Sequence, residues 1–206
     1  MPTLKLVLLG DSSVGKSSLV NRFAVDSFDP HSPNTIGAAF ISKEHSFKDR
    51  KVKFEVWDTA GQERYKSLTP MYYRNAKVAL ICFDLSNAQA SFQRAQYWID
   101  QLRISGPPDI SIRVVGTKKD LVDDASDSAA AGAASAELTA ISEHCSDLGL
   151  SIVHTSAKSG QGVAEIFDSI VDSLDDEIFR QSDSEHAEPV QENVLLRFQS
   201  RNSSCC

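Results

Sequence analysis

Cysteine is scarce, and its placement rules out a disulfide framework. Only four occur in 206 residues: Cys82 in an apolar stretch, Cys145 in a helical pattern, and Cys205 with Cys206 ending the sequence. A secreted scaffold stapled by bridges would need more, spread through its loops. Positive charge is also short. With 21 Lys and Arg against 28 Asp and Glu the net charge is -7, and no basic cluster stands out, so a nucleic-acid footprint is excluded. Long apolar runs are missing too. The nearest, Val78 to Phe83, falls far short of the ~18 to 20 residues that a spanning helix needs. The opening Met1-Pro2-Thr3-Leu4-Lys5 has no apolar core behind a basic region and no Gly after Met1. Neither an export leader nor a myristoyl anchor is expected, which leaves a cytosolic protein whose membrane contact must come from elsewhere.

What is present reads as one domain and a tail, with 41% hydrophobic residues and 24% charged. Short apolar runs at 4–9, 78–83, 112–115 and 151–153 alternate with helical patterns at 16–24, 91–103, 136–147 and 163–179. That alternation predicts an α/β fold, a parallel sheet with helices on both faces. One region departs from it, because 40–47 and 51–57 are joined only by Lys48-Asp49-Arg50. A hairpin at the sheet edge is expected there. Within its second strand Val52, Phe54 and Val56 face one way, which puts Trp57 on the other face with Lys51, Lys53 and Glu55. The small and acidic stretch 123–135 reads as a mobile loop, and 180–206 as a flexible tail rich in Ser, Glu and Asp. The domain is expected to span 1–179.

Gly10-Asp11-Ser12-Ser13-Val14-Gly15-Lys16-Ser17 fits GxxxxGK[ST], following a predicted strand and opening a predicted helix. Backbone N–H groups of Ser13, Val14, Gly15, Lys16, Ser17 and Ser18 would wrap phosphates at a helix N-terminus. Lys16 would neutralise the β and γ phosphates, a catalytic as well as a binding role, and the Ser17 hydroxyl would ligate Mg²⁺. The loop by itself specifies a nucleotide and not which one.

Asp58-Thr59-Ala60-Gly61-Gln62-Glu63 follows the hairpin. An Asp ending a buried strand beside a phosphate loop can hold magnesium through water, although capping a turn is the commoner fate of such a residue. Gly61 can bring its N–H to the γ-phosphate, and Gln62 can orient the attacking water as both donor and acceptor. Thr35, in the polar loop before Phe40, is the second candidate protein ligand to Mg²⁺.

GDSSVGKS, Thr35, DTAGQE, Thr117-Lys118-Lys119-Asp120 and Ser156-Ala157-Lys158 occur in the order of the Ras superfamily, which this chain resembles from residue 4 to about 179. The resemblance implies the Ras-like G domain of the P-loop NTPases: a mostly parallel six-stranded sheet with one antiparallel edge strand. It also implies two segments, 28–39 and 60–73, that Thr35 and Gly61 pull onto the γ-phosphate. The chemistry of Asp120 points to guanine, whose two N–H donors on one edge match an acceptor-only carboxylate; adenine would leave that group unpaired. Lys118 would lie along the base, Ala157 would donate its backbone N–H to the guanine oxygen, and Ser156 and Lys158 would support the loop. By resemblance Phe28 packs edge-on against the base, the bland alternative being a loop hydrophobe that closes the core. Thr117 departs from the usual Asn, so one hydroxyl stands where an amide would bridge base and phosphate loop.

Thr35-Ile36-Gly37-Ala38-Ala39-Phe40, Glu63-Arg64-Tyr65 and Met71-Tyr72-Tyr73-Arg74 resemble the Rab (Ypt) family and its early-endosomal branch. Phe40, Trp57 and Tyr72 match that family's effector-binding aromatic triad. Cys205 and Cys206 resemble its double geranylgeranylation signal, against the plainer reading of free thiols; two chains give the stable anchoring that one does not. A tail of this length reaches about 25 to 30 Å. The resemblance implies hydrolysis of GTP to GDP and phosphate in the service of endocytic vesicle traffic. It also implies an exchange factor, an activating protein that supplies an arginine and a glutamine, an escort protein, a GDP-dissociation inhibitor and effectors. The site of action would be the cytoplasmic face of endosomal membranes, with a carrier-bound cytosolic pool. Two rivals stand beside this: a GTP-bound scaffold with little hydrolysis, and a phosphate-loop kinase, which leaves Asp120 and the hairpin unexplained.

Overall fold

Alternation along the first strand, β1 (Thr3–Gly10), sets the plan of the molecule. Leu4, Leu6 and Leu8 enter one core layer while Val7 and Leu9 enter a second on the opposite face, as a two-residue period requires. In the computed structural model, which describes residues 1–124 and 131–179, every strand except the edge strand 38–47, which feeds one layer only, sorts its side chains in this way. After β1 come α1 (Lys16–Val25), the hairpin β2 (Ala38–Phe47) and β3 (Arg50–Thr59), and the short α2 (Thr69–Tyr73). β4 (Val78–Asp84), α3 (Ala88–Ser105), β5 (Ser111–Thr117) and α4 (Lys119–Asp124) follow, then α5 (Ala131–Asp147), β6 (Ile152–His154) and α6 (Val163–Asp172).

The strands form one sheet in the order β2-β3-β1-β4-β5-β6, and only β2 runs antiparallel to its neighbour. This is the expected α/β architecture. One layer packs α1 and α6, through Leu19, Val20, Phe23, Ile166, Phe167 and Ile170, against Val52, Phe54, Val56, Leu80 and Val115. The other packs α3 and α5, through Phe92, Trp98, Ile99, Leu102, Ile141 and Cys145, against Ile81, Phe83 and Val114. Strand β4 is buried along its whole length, which explains why its sequence is continuously apolar. The chain adds β2 and β3 on one side of β1 and then crosses to β4 on the other, so strand order reverses at β1, where an open α/β sheet places its ligand crevice.

Three expectations need correction. The hairpin connection is two residues, since Phe47 pairs with Arg50 and Lys48 takes the left-handed conformation (φ 53°) that a tight turn demands. The last helix does not run from 163 to 179. Arg50, on the hairpin, directs one guanidinium nitrogen at the carbonyls of Val171, Asp172 and Leu174, at 3.2, 3.1 and 2.9 Å. These are carbonyls that a continuing helix would present to residues 175, 176 and 178, so α6 stops at Asp172 and 176–179 form a separate turn. Finally, the stretch read as a loop over 123–135 is helical at both ends, in α4 as far as Asp124 and in α5 from Ala131. Cys205, Cys206 and the tail from 180 lie outside the described residues.

Candidate functional site

At the C-terminal ends of β1 and β5 the chain encloses a cavity of about 590 Å³. The phosphate loop forms its floor. Ser13 (φ 60°) and Gly15 (φ 99°) are both left-handed, a sequence of conformations that turns successive N–H groups to one side. No side chain caps α1 at Gly15, so the donors and the positive dipole end of that helix are left for a ligand. Ser12, Ser13, Gly15, Lys16, Ser17 and Ser18 line the cavity, while Val14 turns its side chain into the core. Lys16 is buried, its ammonium donating to the carbonyls of Gly10 (3.1 Å) and Asp11 (2.5 Å). Burial pulls it below the usual lysine value, with Asp58 opposing. An anion in the cavity would restore what burial withholds.

Ser17, Thr35 and Asp58 come from three different segments and meet. Ser17 Oγ donates to Asp58 Oδ2 at 2.5 Å, and Thr35 Oγ1 lies 2.7 Å from Ser17 Oγ and 3.2 Å from Asp58 Oδ2. Asp58 Oδ1 is buried with no hydrogen-bond partner, an expensive state for a carboxylate oxygen. Two hydroxyls and one carboxylate, itself with an orphaned oxygen, fit a hard divalent cation that would complete its shell with water and phosphate oxygens. Among the described residues no cluster of three or more His, Cys, Asp or Glu side chains offers another such site.

Burial, only partly offset by the Ser17 and Thr35 hydrogen bonds and the Lys16 charge, raises the Asp58 carboxyl above its ordinary 3.8. A carboxylate raised on folding makes the folded state bind protons more tightly than the unfolded chain. Stability therefore falls as pH rises from about 4 through the folded value and stays lowered above it. Asp58→Asn is accordingly expected to raise the melting temperature of nucleotide-free, magnesium-free protein by about 2–4 °C at neutral pH and to remove the stability that wild type gains from Asp58 protonation as pH falls towards about 4, while weakening magnesium-dependent nucleotide binding. Thermal denaturation in chelator across pH 4 to 8 checks the first half.

Gly61 passes directly over the phosphate loop: a Cβ there would lie 2.2 Å from the Asp11 carbonyl carbon and 2.3 Å from the Ser12 nitrogen. Gln62 is extended (φ -73°, ψ 140°), half-buried, and next to the cavity without lining it. Asp58 does not line the cavity either, but it reaches the wall through Ser17 and Thr35, a connection that Gln62 lacks.

The opposite end of the cavity carries Phe28, Lys118, Asp120, Ala157 and Lys158. Asp120 Oδ1 accepts from Ser156 Oγ at 2.6 Å, and the Lys158 ammonium is 3.9 Å from Oδ2 and largely exposed. Ser156 is thus a fully buried brace for Asp120 and lies behind the cavity wall. Lys118, left-handed at φ 59°, is tethered by Asp84 Oδ2 at 2.7 Å. Asp84 escaped the sequence reading because its only local signal is an ordinary turn, in which Ser86 N–H donates to it. Phe28 is half-buried at the rim, as a residue packing against a planar ligand would be.

Thr117 is buried, and its hydroxyl touches the carbonyl of Val14 and lies 2.8 Å from that of Phe83. The threonine hydroxyl therefore reaches the phosphate loop in the place of the usual amide. Its single proton can serve only one of the two carbonyls at a time, whereas an amide carries two. Thr117→Asn is expected to slow release of bound nucleotide several-fold, read from the dissociation rate of a fluorescent GDP; an equal or faster rate counts against this role.

Phe40, Trp57 and Tyr72 join into one surface cluster, with ring centroids 5.2 and 5.6 Å apart. Phe40 is half exposed, while Trp57 and Tyr72 are partly sunk against the core. Lys5 lies under the Trp57 ring at 5.3 Å and donates to the Arg74 carbonyl. The cluster is contiguous but more sheltered than a freely exposed triad. Exposed Ile36, Leu68 and Met71, from the same two segments, widen the apolar surface.

Comparison with known proteins agrees with this geometry. A profile of the Ras family matches residues 5–176. The GTP-binding protein YPT52 of Saccharomyces cerevisiae is 45% identical over 196 residues, covering 85% of this chain and 83% of that protein. The Ras-related protein RABF2b of Arabidopsis thaliana is 47% identical over 172 residues (82% and 80%). The Ras-related protein Rab-5A of Dictyostelium discoideum is 43% identical over 170 (82% and 80%).

Proposed function

This chain belongs to the Ras family, with relatives of Rab5 type, and from that premise we propose that it cycles between GTP- and GDP-bound states to regulate endocytic vesicle traffic, hydrolysing GTP to GDP and phosphate. One observation carries the reading: a single cavity joins a phosphate loop with a buried lysine, a three-oxygen cation cluster and a braced guanine-matching carboxylate.

Ser17, Thr35 and Asp58, the last through water, would hold Mg²⁺, which would supply neutralisation of phosphate charge when bound. The rest of the chemistry belongs to the chain. Lys16 and the loop N–H groups hold the phosphates, Gly61 brings its N–H against the γ-phosphate, and Gln62 orients the water for in-line attack. No covalent intermediate is needed. Gln62 stands back from the cavity, so intrinsic turnover is slow and an activating protein supplies an arginine and a glutamine. Phe28 packs on the base, Asp120 reads its donors, and the N–H of Ala157 reads its oxygen.

Residues 1–179 form the G domain. Residues 180–206 are its tether, carrying geranylgeranyl groups on Cys205 and Cys206 to the cytoplasmic face of endosomal membranes; no described helix is long and apolar enough to cross a membrane. An escort protein and a GDP-dissociation inhibitor handle the lipids, an exchange factor releases GDP, and effectors dock on Phe40, Trp57 and Tyr72, where sheltered aromatics offer a hot-spot anchor.

Nucleotide competition tests the reading: magnesium-dependent preference for GTP over ATP is expected, and equal affinities would end it. Gln62→Leu is expected to cut activator-stimulated single-turnover hydrolysis by at least about a hundredfold, the scale of a lost positioning contact, with GTP affinity preserved. Equal rates for the two proteins would remove Gln62 from the mechanism. A wild type that binds GTP but does not turn it over, even with an activator, would leave a scaffold.

A further inference from the structure

Arg22 sits in the last turn of α1, six residues past the phosphate-loop lysine, and its guanidinium leaves the helix for the base-binding loop. Nε donates to the carbonyl of Ala157 at 2.7 Å and Nη2 to that of Lys158 at 3.1 Å. Nη1 turns back to its own helix end, donating to the Asp26 carbonyl at 3.0 Å and to Asp26 Oδ1 at 2.8 Å. The Arg22 side chain is 18% exposed, whereas that of Asp26 is 90% exposed. The ion pair is therefore in water and worth little, while the two loop carbonyls are bound by a sheltered, charged donor.

We propose that Arg22 is a positioning residue for nucleotide retention, a strut that sets the loop carrying the Ala157 N–H at the height the guanine oxygen requires. The inference rests on the placement of guanine against Asp120 and Ala157 proposed above. α1 is ten residues long, about 15 Å. Its first turn faces the phosphates, and its last turn holds two peptide carbonyls of the base site. A planar fork with donors in fixed directions suits two successive carbonyls in a way that one ammonium does not. Other supports of the loop act elsewhere: Ser156 braces Asp120, and Lys119 N–H donates to the Thr155 carbonyl at 2.9 Å. Among the described residues, only Arg22 is seen to fasten the Ala157 and Lys158 carbonyls to α1.

The test measures release of a fluorescent GDP from the full chain, with magnesium and in chelator. Arg22→Ala is expected to accelerate release roughly tenfold, the scale of a lost charge-assisted hydrogen bond. The factor should be the same in both conditions, because base loop and cation cluster are separate sites whose effects add. Arg22→Lys, which keeps charge and stem, should fall between, about threefold, and serves if the alanine variant is poorly folded. Asp26→Asn, which removes the ion pair and still tolerates the left-handed conformation of that position (φ 51°), should release at the wild-type rate. Unchanged release in Arg22→Ala, full rescue by Lys, acceleration by Asp26→Asn, or an effect that vanishes in chelator each overturn the strut. Failure of the wild type to bind GDP would instead overturn the guanine site itself, before any variant is compared.

Discussion

Asp120→Asn is expected to lower affinity for GDP and GTP by about a thousandfold and to turn the site towards xanthine nucleotides. The carboxylate is acceptor-only, and one of its oxygens is already committed to Ser156 Oγ at 2.6 Å. Its remaining capacity faces the cavity, where in the proposed placement guanine would present the N1–H and the 2-amino group. An Asn in the same place keeps one acceptor but swings an NH₂ at the 2-amino group, donor against donor. Losing two charge-assisted hydrogen bonds and creating a clash of like polarity costs about 4 kcal/mol, which is about three decades in dissociation constant. Xanthine carries a carbonyl at that carbon, so the new amide has a partner again. Competition against a fluorescent nucleotide, run with GDP, XDP and ADP on both proteins, reads the result. If the variant keeps its GDP affinity, Asp120 does not contact the base.

The parts of this site that sequence disclosed are those whose signal is local. The phosphate loop is eight consecutive residues between a strand and a helix, and the two-residue period of β3 told which way Trp57 turns before any neighbour was known. What stayed hidden depends on side chains reaching across the fold. Arg50 ends α6 from 121 residues away in sequence; the apolar spacing of 163–179 continues past Asp172, and nothing in that segment announces the stop. Asp84 and Arg22 are equally ordinary in their own surroundings and join the proposed base site only through Lys118 and the Ala157 loop. The bridge that Thr117 makes was hidden for a related reason. Comparing a hydroxyl with an amide ignores where the backbone places them, and here the Val14 carbonyl comes down to meet the shorter side chain.

The two loops expected to respond to the γ-phosphate are joined directly to each other. Ala60 N–H donates to the Gly37 carbonyl at 2.9 Å, so the segment carrying Thr35 and the segment carrying Gly61 and Gln62 share a hydrogen bond beside the cation cluster. Thr35 in turn touches Ser17 and Asp58. A ligand that fixes either loop therefore biases the other, and with it the aromatic surface, since Phe40 lies three residues beyond Gly37 and Tyr72 lies on α2.

Gly61→Ala should break that arrangement at its tightest point. The new methyl would stand 2.2 to 2.3 Å from backbone atoms of Asp11 and Ser12, closer than any relaxation of a flexible side chain could relieve, because the neighbours are main chain of the phosphate loop. Either that loop deforms or residues 60–62 lift away from it. The loop is held by Lys16, which bonds the Gly10 and Asp11 carbonyls, and by Thr117 beneath Val14, so the segment with Gln62 is the one that moves. A displacement of about 1 Å at a reacting group is enough to cost about a hundredfold. Single-turnover hydrolysis of GTP is therefore expected to fall by about that factor or more, with GDP affinity within a few-fold of wild type because the base end and the phosphate floor are untouched. A variant that loses GDP affinity as steeply as hydrolysis would show that the phosphate loop had yielded instead, and one that hydrolyses GTP normally would show that the contact between these two backbones is not needed for the reaction.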